Sequence, residues 1–130
     1  HHRNTGPSQR QLRVGEQLRH TIAETLQRGH FDSVVLIDES QKVTVSEVRI
    51  SPDLKNATAY VMTLGGENMD QILPALNDSA RYFQKEINRQ LNLKFTPRVN
   101  FVADHSFEEG ARIDRILDSL PETKNHDEDE

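Results

Sequence analysis

Five basic residues recur within a short segment of the chain at spacings that suit phosphate binding. Residues 81 to 98 carry these five cations and one acid, Glu86, for a net charge of +4. If the segment begins in a helix, the first three cations stand at positions i, i+4 and i+8 and share one side of it. A stripe of one sign suits phosphates, because neutralising them releases counterions. The five residues are Arg81, Lys85, Arg89, Lys94 and Arg98.

A simpler interpretation of this stripe is the solvated side of an amphipathic helix. Solvated helix faces usually mix both signs of charge, whereas this segment has one acid among five cations. An earlier helical segment adds further positive charge. We therefore predict that seven residues contact nucleic-acid phosphates: Arg10, Arg13, Arg81, Lys85, Arg89, Lys94 and Arg98.

The candidates for catalysis and metal binding are few. His105 stands at a metal-like spacing from Glu108 and Glu109, but two ligands without a third make no site, and a capping turn explains the pattern. Asp53 could act as a base, although turn chemistry already accounts for it. The nucleophile-elbow, Walker and dinucleotide-binding motifs are absent from the sequence. We predict a protein that is not an enzyme and uses no cofactor, metal or small-molecule substrate.

Composition is typical of one small α/β domain with polar ends. The chain has 130 residues, of which 34% are hydrophobic and 28% are charged. Five acids and one lysine in the last nine residues contribute −4 of the net charge of −5, so the remainder is close to neutral. The lack of cysteine excludes disulfides and fits the cytoplasm. No apolar run approaches the roughly 20 residues that span a bilayer, so no membrane partner is expected.

The domain organisation follows from the ends of the chain. Residues 1–8 are predicted to be disordered, with a tag remnant at His1-His2. Residues 9–120 form one domain. Residues 121–130 form an acidic tail that is predicted to be disordered because it has too little apolar surface to bury.

The first half of the domain predicts a helix and a hairpin. Ser8 and Gln11 form a capping box, and apolar residues recur every fourth position up to Gly29, which predicts a helix over 9–28. Residues 34–37, "VVLI", are a short strand or a hydrophobic plug. Residues 42–50 form a strand whose alternation slips between Ser46 and Glu47, which indicates a bulge or burial on both faces. A turn at 51–53 leads into a strand over 57–64.

The second half predicts a long helix, a strand and a short helix. Apolar residues from Ile72 to Leu91 keep one helical period, so the helix over 72–91 is predicted to be unbroken, with Pro74 in its first turn. Residues 96–104 alternate as a strand. Residues 106–120 begin with a capping box and form a short amphipathic helix.

This element order predicts an α+β fold: a three-stranded sheet with helices on one face, arranged as in a type II KH domain. The G-x-x-G loop of nucleic-acid-binding KH domains is missing. Aromatic residues make up 5% of the chain, and no strand carries an aromatic pair for base stacking. Backbone and shape recognition of folded RNA is therefore expected, rather than the reading of single bases.

Residues 43–61, "VTVSEVRISPDLKNATAYV", resemble the most recognisable segment of the ribosome-binding factor A family. Residues 13–29 are similar to that family's first helix, and residues 91–117 to its last strand and C-terminal helix. The resemblance implies a single KH-like domain without enzymatic activity. It also implies binding to the small (30S) ribosomal subunit, action on 16S rRNA in late maturation, and a role in cold adaptation. The protein is expected to be a monomer.

One position departs from the family pattern. The resemblance implies an A-x-G kink between two helices, and Ser79-Ala80-Arg81 stands in its place here. Family geometry predicts a bend at these residues, whereas the unbroken apolar period predicts a straight helix. A second functional hypothesis keeps the same fold but makes the protein an interaction adaptor without direct RNA contact.

Overall fold

Three strands form one mixed sheet in the order β1-β2-β3, with β1 and β2 antiparallel and β2 and β3 parallel. The computed structural model describes residues 6–105. Its elements are α1 (Gln9–Arg28), α2 (Val34–Glu39), β1 (Thr44–Ile50), β2 (Asn56–Met62), α3 (Met69–Asp78), α4 (Ala80–Gln90) and β3 (Arg98–Ala103). Single 3-10 turns at Ser40–Lys42 and Leu64–Gly66 precede β1 and follow β2. The predicted helix over 106–120 and the tail 121–130 lie outside the described residues, as do residues 1–5.

The ends of α1 are those that the sequence predicts. The Ser8 hydroxyl accepts a bond from the Gln11 amide at 3.1 Å, and the Ser8 amide donates to Gln11 Oε1 at 2.9 Å. Gly29 ends the helix with φ +70°, a conformation that glycine adopts without steric cost. Both caps depend on residues within one turn, which explains why local reasoning located them.

Strand β1 contains the predicted bulge. Its register against β2 shifts between Val45 and Glu47. The extra residue turns Val45 and Val48 to the same buried side, although three positions separate them. Glu47 and Arg49 stay exposed on the other face, so the bulge, and not burial on both faces, explains the slip.

Residues 34–37 are helical, which corrects the expectation of a strand or a plug. Ser33 caps α2, because its hydroxyl accepts a bond from the Leu36 amide at 3.3 Å. Leu36 is buried, whereas Val34 and Ile37 are largely exposed. An apolar run of four residues has no period that separates strand from helix, so the capping serine was the better signal.

The β1–β2 hairpin turn is held by a dense set of hydrogen bonds. The Ser51 hydroxyl donates to Asp53 Oδ1 at 2.6 Å and accepts from the Asn56 amide at 3.0 Å. The Leu54 amide donates to the Ser51 carbonyl at 2.8 Å, and Leu54 itself has φ +63°. This is a turn followed by one left-handed residue, where glycine is the usual choice and leucine is strained. The next strand, β2, ends at Met62, two residues before the predicted end.

The predicted long helix is two helices, α3 and α4, which are separated at Ser79. Ser79 has φ −98° and ψ 13°, and its amide donates to the carbonyls of Ala75 and Leu76. The expectation of an unbroken helix is therefore wrong. Both helices pack on β3, so the apolar stripe keeps one direction across the break. The backbone at Ser79 has negative φ, so the break requires no glycine.

Pro74 also corrects the sequence prediction. Helix α3 begins at Met69, which places the proline in its second turn. Pro74 and Asp70 are both exposed, so the Asp70 carbonyl that loses a helical donor is close to water.

The core lies between the sheet and the helices, all on one face of the sheet. Alternate residues of each strand point toward it, among them Val45, Ala59 and Phe101. Helix α1 packs on β1, and α3 and α4 pack on β3. This is the predicted α+β, type II KH-like architecture. Among residues 6–105 no helix has the length and apolar character needed to cross a bilayer.

Candidate nucleic-acid interface

The basic stripe of α4 faces solvent. Phe83 and Ile87 of α4 are fully buried against the core. Arg81, Lys85 and Arg89 are exposed on the opposite side of the helix, one turn apart. None of the ion pairs formed within residues 6–105 uses Arg81 or Lys85. These two cations are therefore available to an external phosphate.

Arg89 is partly committed to a contact inside the protein. Glu86 is only 9% exposed, and its Oε1 accepts bonds from Arg89 Nη2 at 2.6 Å and from Arg28 Nη2 at 3.1 Å. The hydrogen bond from Arg89 is the main reason why the pKa of Glu86 lies below its usual value. Two guanidinium groups around one carboxylate leave a surplus positive charge.

Arg28 was missed by the sequence analysis. It occupies the last turn of α1 and contacts a residue 58 positions away along the chain. Basic residues are common in the last turn of a helix, because they interact favourably with the negative end of the helix dipole. The residue type and position of Arg28 therefore gave no signal of this contact. Its side chain extends the positive surface from α4 toward α1.

Arg13 lies beside the C-terminal end of α4. It lines a groove of about 630 Å³ with Gln90 and Leu91. The same groove is lined by Glu16, which forms an ion pair with Arg19, and by Glu24, whose Oε2 lies 3.3 Å from His20 Nε2. Arg13 therefore stands next to the α4 stripe, but on a surface of mixed charge.

Arg10 and Lys94 meet at a different place. Both line a cleft of about 220 Å³ that is bounded by the N-terminal turns of α1, the hairpin turn and the loop between α4 and β3. Tertiary structure thus brings together two predicted cations that are 84 positions apart in the sequence (94 minus 10). Both side chains are exposed.

Arg98 does not extend the stripe of α4, which corrects the idea of one continuous basic run. It is the first residue of β3, and the next residue, Val99, is buried under the helices. Because successive strand residues point to opposite faces, Arg98 lies on the open face of the sheet. Its neighbours there are polar, including Thr58 and Asn100, which share a hydrogen bond of 3.2 Å. The seven predicted residues therefore occupy several surfaces.

The charged forms of two exposed carboxyl groups are stabilised by hydrogen bonds. The pKa of Asp53 is lowered, mainly by the Ser51 hydroxyl, and the pKa of Glu16 is lowered, mainly by Arg19. A general acid near neutral pH needs a carboxyl group with a raised pKa instead. Residues 6–105 contain no group of three or more metal-ligating side chains. Glu108 and Glu109, the partners considered for His105, lie outside the described residues.

A family model for ribosome-binding factor A matches residues 10–117. The chain belongs to the ribosome-binding factor A family. A ribosome-binding factor A of Methylobacterium nodulans is 50% identical over 116 residues, which cover 89% of this chain and 84% of the relative. The resemblance found in residues 43–61 is therefore confirmed over most of the chain.

Solved structures of the family share the fold. A crystal structure of ribosome-binding factor A from Thermus thermophilus matches with a TM-score of 0.57 and 25% identity, over 72% of this chain and 94% of that one. A homology model of the Thermus thermophilus protein, fitted into an electron cryomicroscopy map of a complex with the 30S subunit, matches with a TM-score of 0.55. It is 22% identical, over 73% of this chain and 96% of that one. At that identity the second likeness shows the fold alone.

Proposed function

We propose that this protein is a ribosome assembly factor that binds the small subunit and assists the late maturation of 16S rRNA. The observation that carries the proposal is the exposed, single-sign stripe of α4 in a member of the ribosome-binding factor A family. A relative with the same fold has been fitted into a map of a 30S complex, which supports a ribosomal partner for this chain too.

The stripe is suited to phosphates by its geometry. Residues at i and i+4 on a helix are neighbours about 5–6 Å apart at Cβ. Phosphates along one nucleic-acid strand follow at a comparable spacing, and long side chains such as those of Arg81 and Lys85 can adjust to it. Their removal leaves the core intact, because the buried residues of α4 are on its other side.

The test is the double variant Arg81→Glu with Lys85→Glu, compared with the unchanged protein by sedimentation with purified mature and immature small subunits. We expect the fold to be retained and the affinity to fall. The dependence of log K on log salt should flatten by about 0.9 for each lost duplex phosphate contact. Circular dichroism and the melting temperature report on the fold.

The matched control is Lys42→Glu with Arg49→Glu, which changes the net charge by the same amount. Lys42 precedes β1, and Arg49 lies on the open face of the sheet. This control should bind subunits almost as the unchanged protein does. Unchanged affinity and salt dependence in the α4 variant would contradict the proposal. If only the control variant lost affinity for small subunits, the contact surface would lie on the sheet instead. If the affinity of the unchanged protein did not depend on salt concentration, the protein-adaptor hypothesis would be favoured.

A further inference from the structure

The cleft lined by Arg10 and Lys94 is separate from the exposed stripe of α4 that is proposed to bind phosphates. Its volume of about 220 Å³ is below the roughly 300–1,000 Å³ of clefts for drug-sized ligands, so it suits one small group. The walls are Val14 and Ile50, with the hairpin residues Pro52 and Leu54 and the loop residue Phe95. The cleft is therefore an apolar slot with a cation on each of two sides.

Phe95 is the most unusual residue of the cleft, because this aromatic residue is 60% exposed on a loop that is otherwise anchored. Leu93 packs against the core, and Pro97 is fully buried. Thr96 donates a hydrogen bond to Asn88 Oδ1 of α4 at 3.1 Å. The neighbours on both sides thus hold the loop, and the aromatic ring is presented to solvent from a fixed backbone.

Positive charge lies beside this ring. Lys94 Nζ is 5.6 Å from the centroid of Phe95. Arg10 is exposed on the wall that α1 supplies. Single-stranded nucleic acids are bound by this combination, in which bases stack on aromatic rings and cations follow the backbone.

The β1–β2 hairpin turn supplies the third wall of the cleft, and one of its residues has a strained backbone. Leu54 has φ +63°, where glycine would be unstrained, yet its side chain packs on the core and lines the cleft. A strained residue that shapes a cleft is a reason to look for a function there. The one acid of the wall, Asp53, already accepts bonds at Oδ1 from the Ser51 hydroxyl and the Lys55 amide. Two cations therefore face one carboxylate that the turn already engages.

We propose that this cleft binds a single unpaired nucleotide of RNA, whose base stacks on Phe95 and whose flanking phosphates contact Arg10 and Lys94. The slot is too small for a base pair, so the nucleotide must be unstacked from any duplex. The site rests on the proposed function and adds to it a preference for single-stranded RNA beside the phosphate contacts of α4. Base stacking was not expected from the sequence, because Phe95 lies in a loop and has no aromatic partner on a strand.

The probe is a hexanucleotide of single-stranded RNA, hexaadenylate or hexauridylate, titrated into the full chain and followed by NMR. We expect shifts at the amides of Leu54, Lys94 and Phe95. An RNA duplex of 12 base pairs should leave these amides unshifted. Replacing Phe95 by Ala should weaken hexanucleotide binding roughly 5- to 150-fold, the range for one stacked base, without changing the salt slope.

Three further variants separate stacking from charge and from general surface effects. Phe95→Tyr keeps a stacking face and should bind the hexanucleotide almost as tightly as the unchanged protein. Arg10→Gln should bind less tightly and lower the salt slope by about 0.7, the value for one phosphate of a single strand. Leu64→Ala removes another exposed apolar side chain, 89% exposed and outside the cleft, and should have no effect.

Each outcome decides the proposal. Unshifted cleft amides, or equal affinity of the Phe95→Ala variant, would overturn it. If Phe95→Ala weakened subunit binding while the hexanucleotide left the NMR signals of the cleft amides unchanged, the cleft would hold a protein side chain instead. Sedimentation of the unchanged protein with small subunits tests the proposed function separately, so failure of one is distinguishable from failure of the other.

Discussion

Replacement of Gly15 by alanine tests how closely α1 approaches the sheet. Gly15 is buried in the middle of α1, and a Cβ atom added there would lie 2.6 Å from the carbonyl oxygen of Val48 in β1. Ordinary contacts of a Cβ begin near 3.4 Å, so the helix and the strand would have to separate by about 0.8 Å. The atom in the way is a backbone atom of β1, which cannot rotate aside as a side chain could.

Two opposing effects set the expected change in the free energy of unfolding. Alanine is favoured over glycine inside a helix by about 1 kcal/mol. Overpacking of a close contact typically costs about 1–3 kcal/mol, and the upper part of this range applies because Gln11 Nε2 also binds the Ile50 carbonyl and ties the same helix to β1. We expect a net loss of about 1–2 kcal/mol. For a domain of roughly 110 residues, with about 2.1 cal/mol/K of unfolding entropy per residue, that lowers the melting temperature by about 4–9 °C.

The assay is urea unfolding together with thermal unfolding, both followed by circular dichroism. Gln17→Ala, on the exposed side of the same helix, is the control and should change stability by less than about 0.5 kcal/mol. A lower urea midpoint with an unchanged m value would show a change in stability alone. If Gly15→Ala were as stable as the unchanged protein or more so, helix propensity would outweigh the contact, and the close packing of α1 on β1 would be refuted.

Two further predictions concern hydrogen-bonded carboxylates. Glu86→Gln should destabilise the protein by about 1–2 kcal/mol at neutral pH, because Arg28 and Arg89 lose a shared charged acceptor. Since folding lowers the pKa of Glu86, the carboxylate's contribution is full above its ordinary pKa of 4.5 and is lost as pH falls through the lower folded value. Urea unfolding at a series of pH values should therefore show the difference from the unchanged protein shrinking on acidification, and Glu67→Gln, at an exposed site, is its control. Ser51→Ala should raise the pKa of Asp53 toward its ordinary value, because the hydrogen bond from the Ser51 hydroxyl is the main cause of the lowered pKa. An NMR titration of the Asp53 carboxyl carbon measures this pKa, and an unchanged value in the variant would contradict the prediction.

The structural features that local reasoning predicted are those in which residues near in sequence interact. The capping box of Ser8 and Gln11 and the left-handed Gly29 set both ends of α1 within one turn. The bulge at Ser46 was visible because strand alternation has a fixed period of two, and one extra residue shifts it. The exposed stripe of α4 was likewise readable from its spacing, although only the binding experiments test its role.

Other features depend on neighbours that are distant in the sequence. An apolar period continues through Ser79 because α3 and α4 cover the same strand, so the pattern contains no trace of the break. Helix α2 was missed because four apolar residues carry no distinct period. The pairing of Arg28 with Glu86 joins positions 58 apart, and nothing in either local segment indicates it.

The amino-acid sequence by itself determined the family, the order of the main elements and the sign of the charge along α4, because these depend on residue types and short spacings. Tertiary structure alone decided which cations share a surface. It placed Arg98 on the open face of the sheet, joined Arg28 of α1 to the buried Glu86 of α4, and brought Arg10 to Lys94 beside Phe95. The physical reason is that a binding surface is made by chain segments that meet only when the core forms, and core packing is not encoded in any single segment.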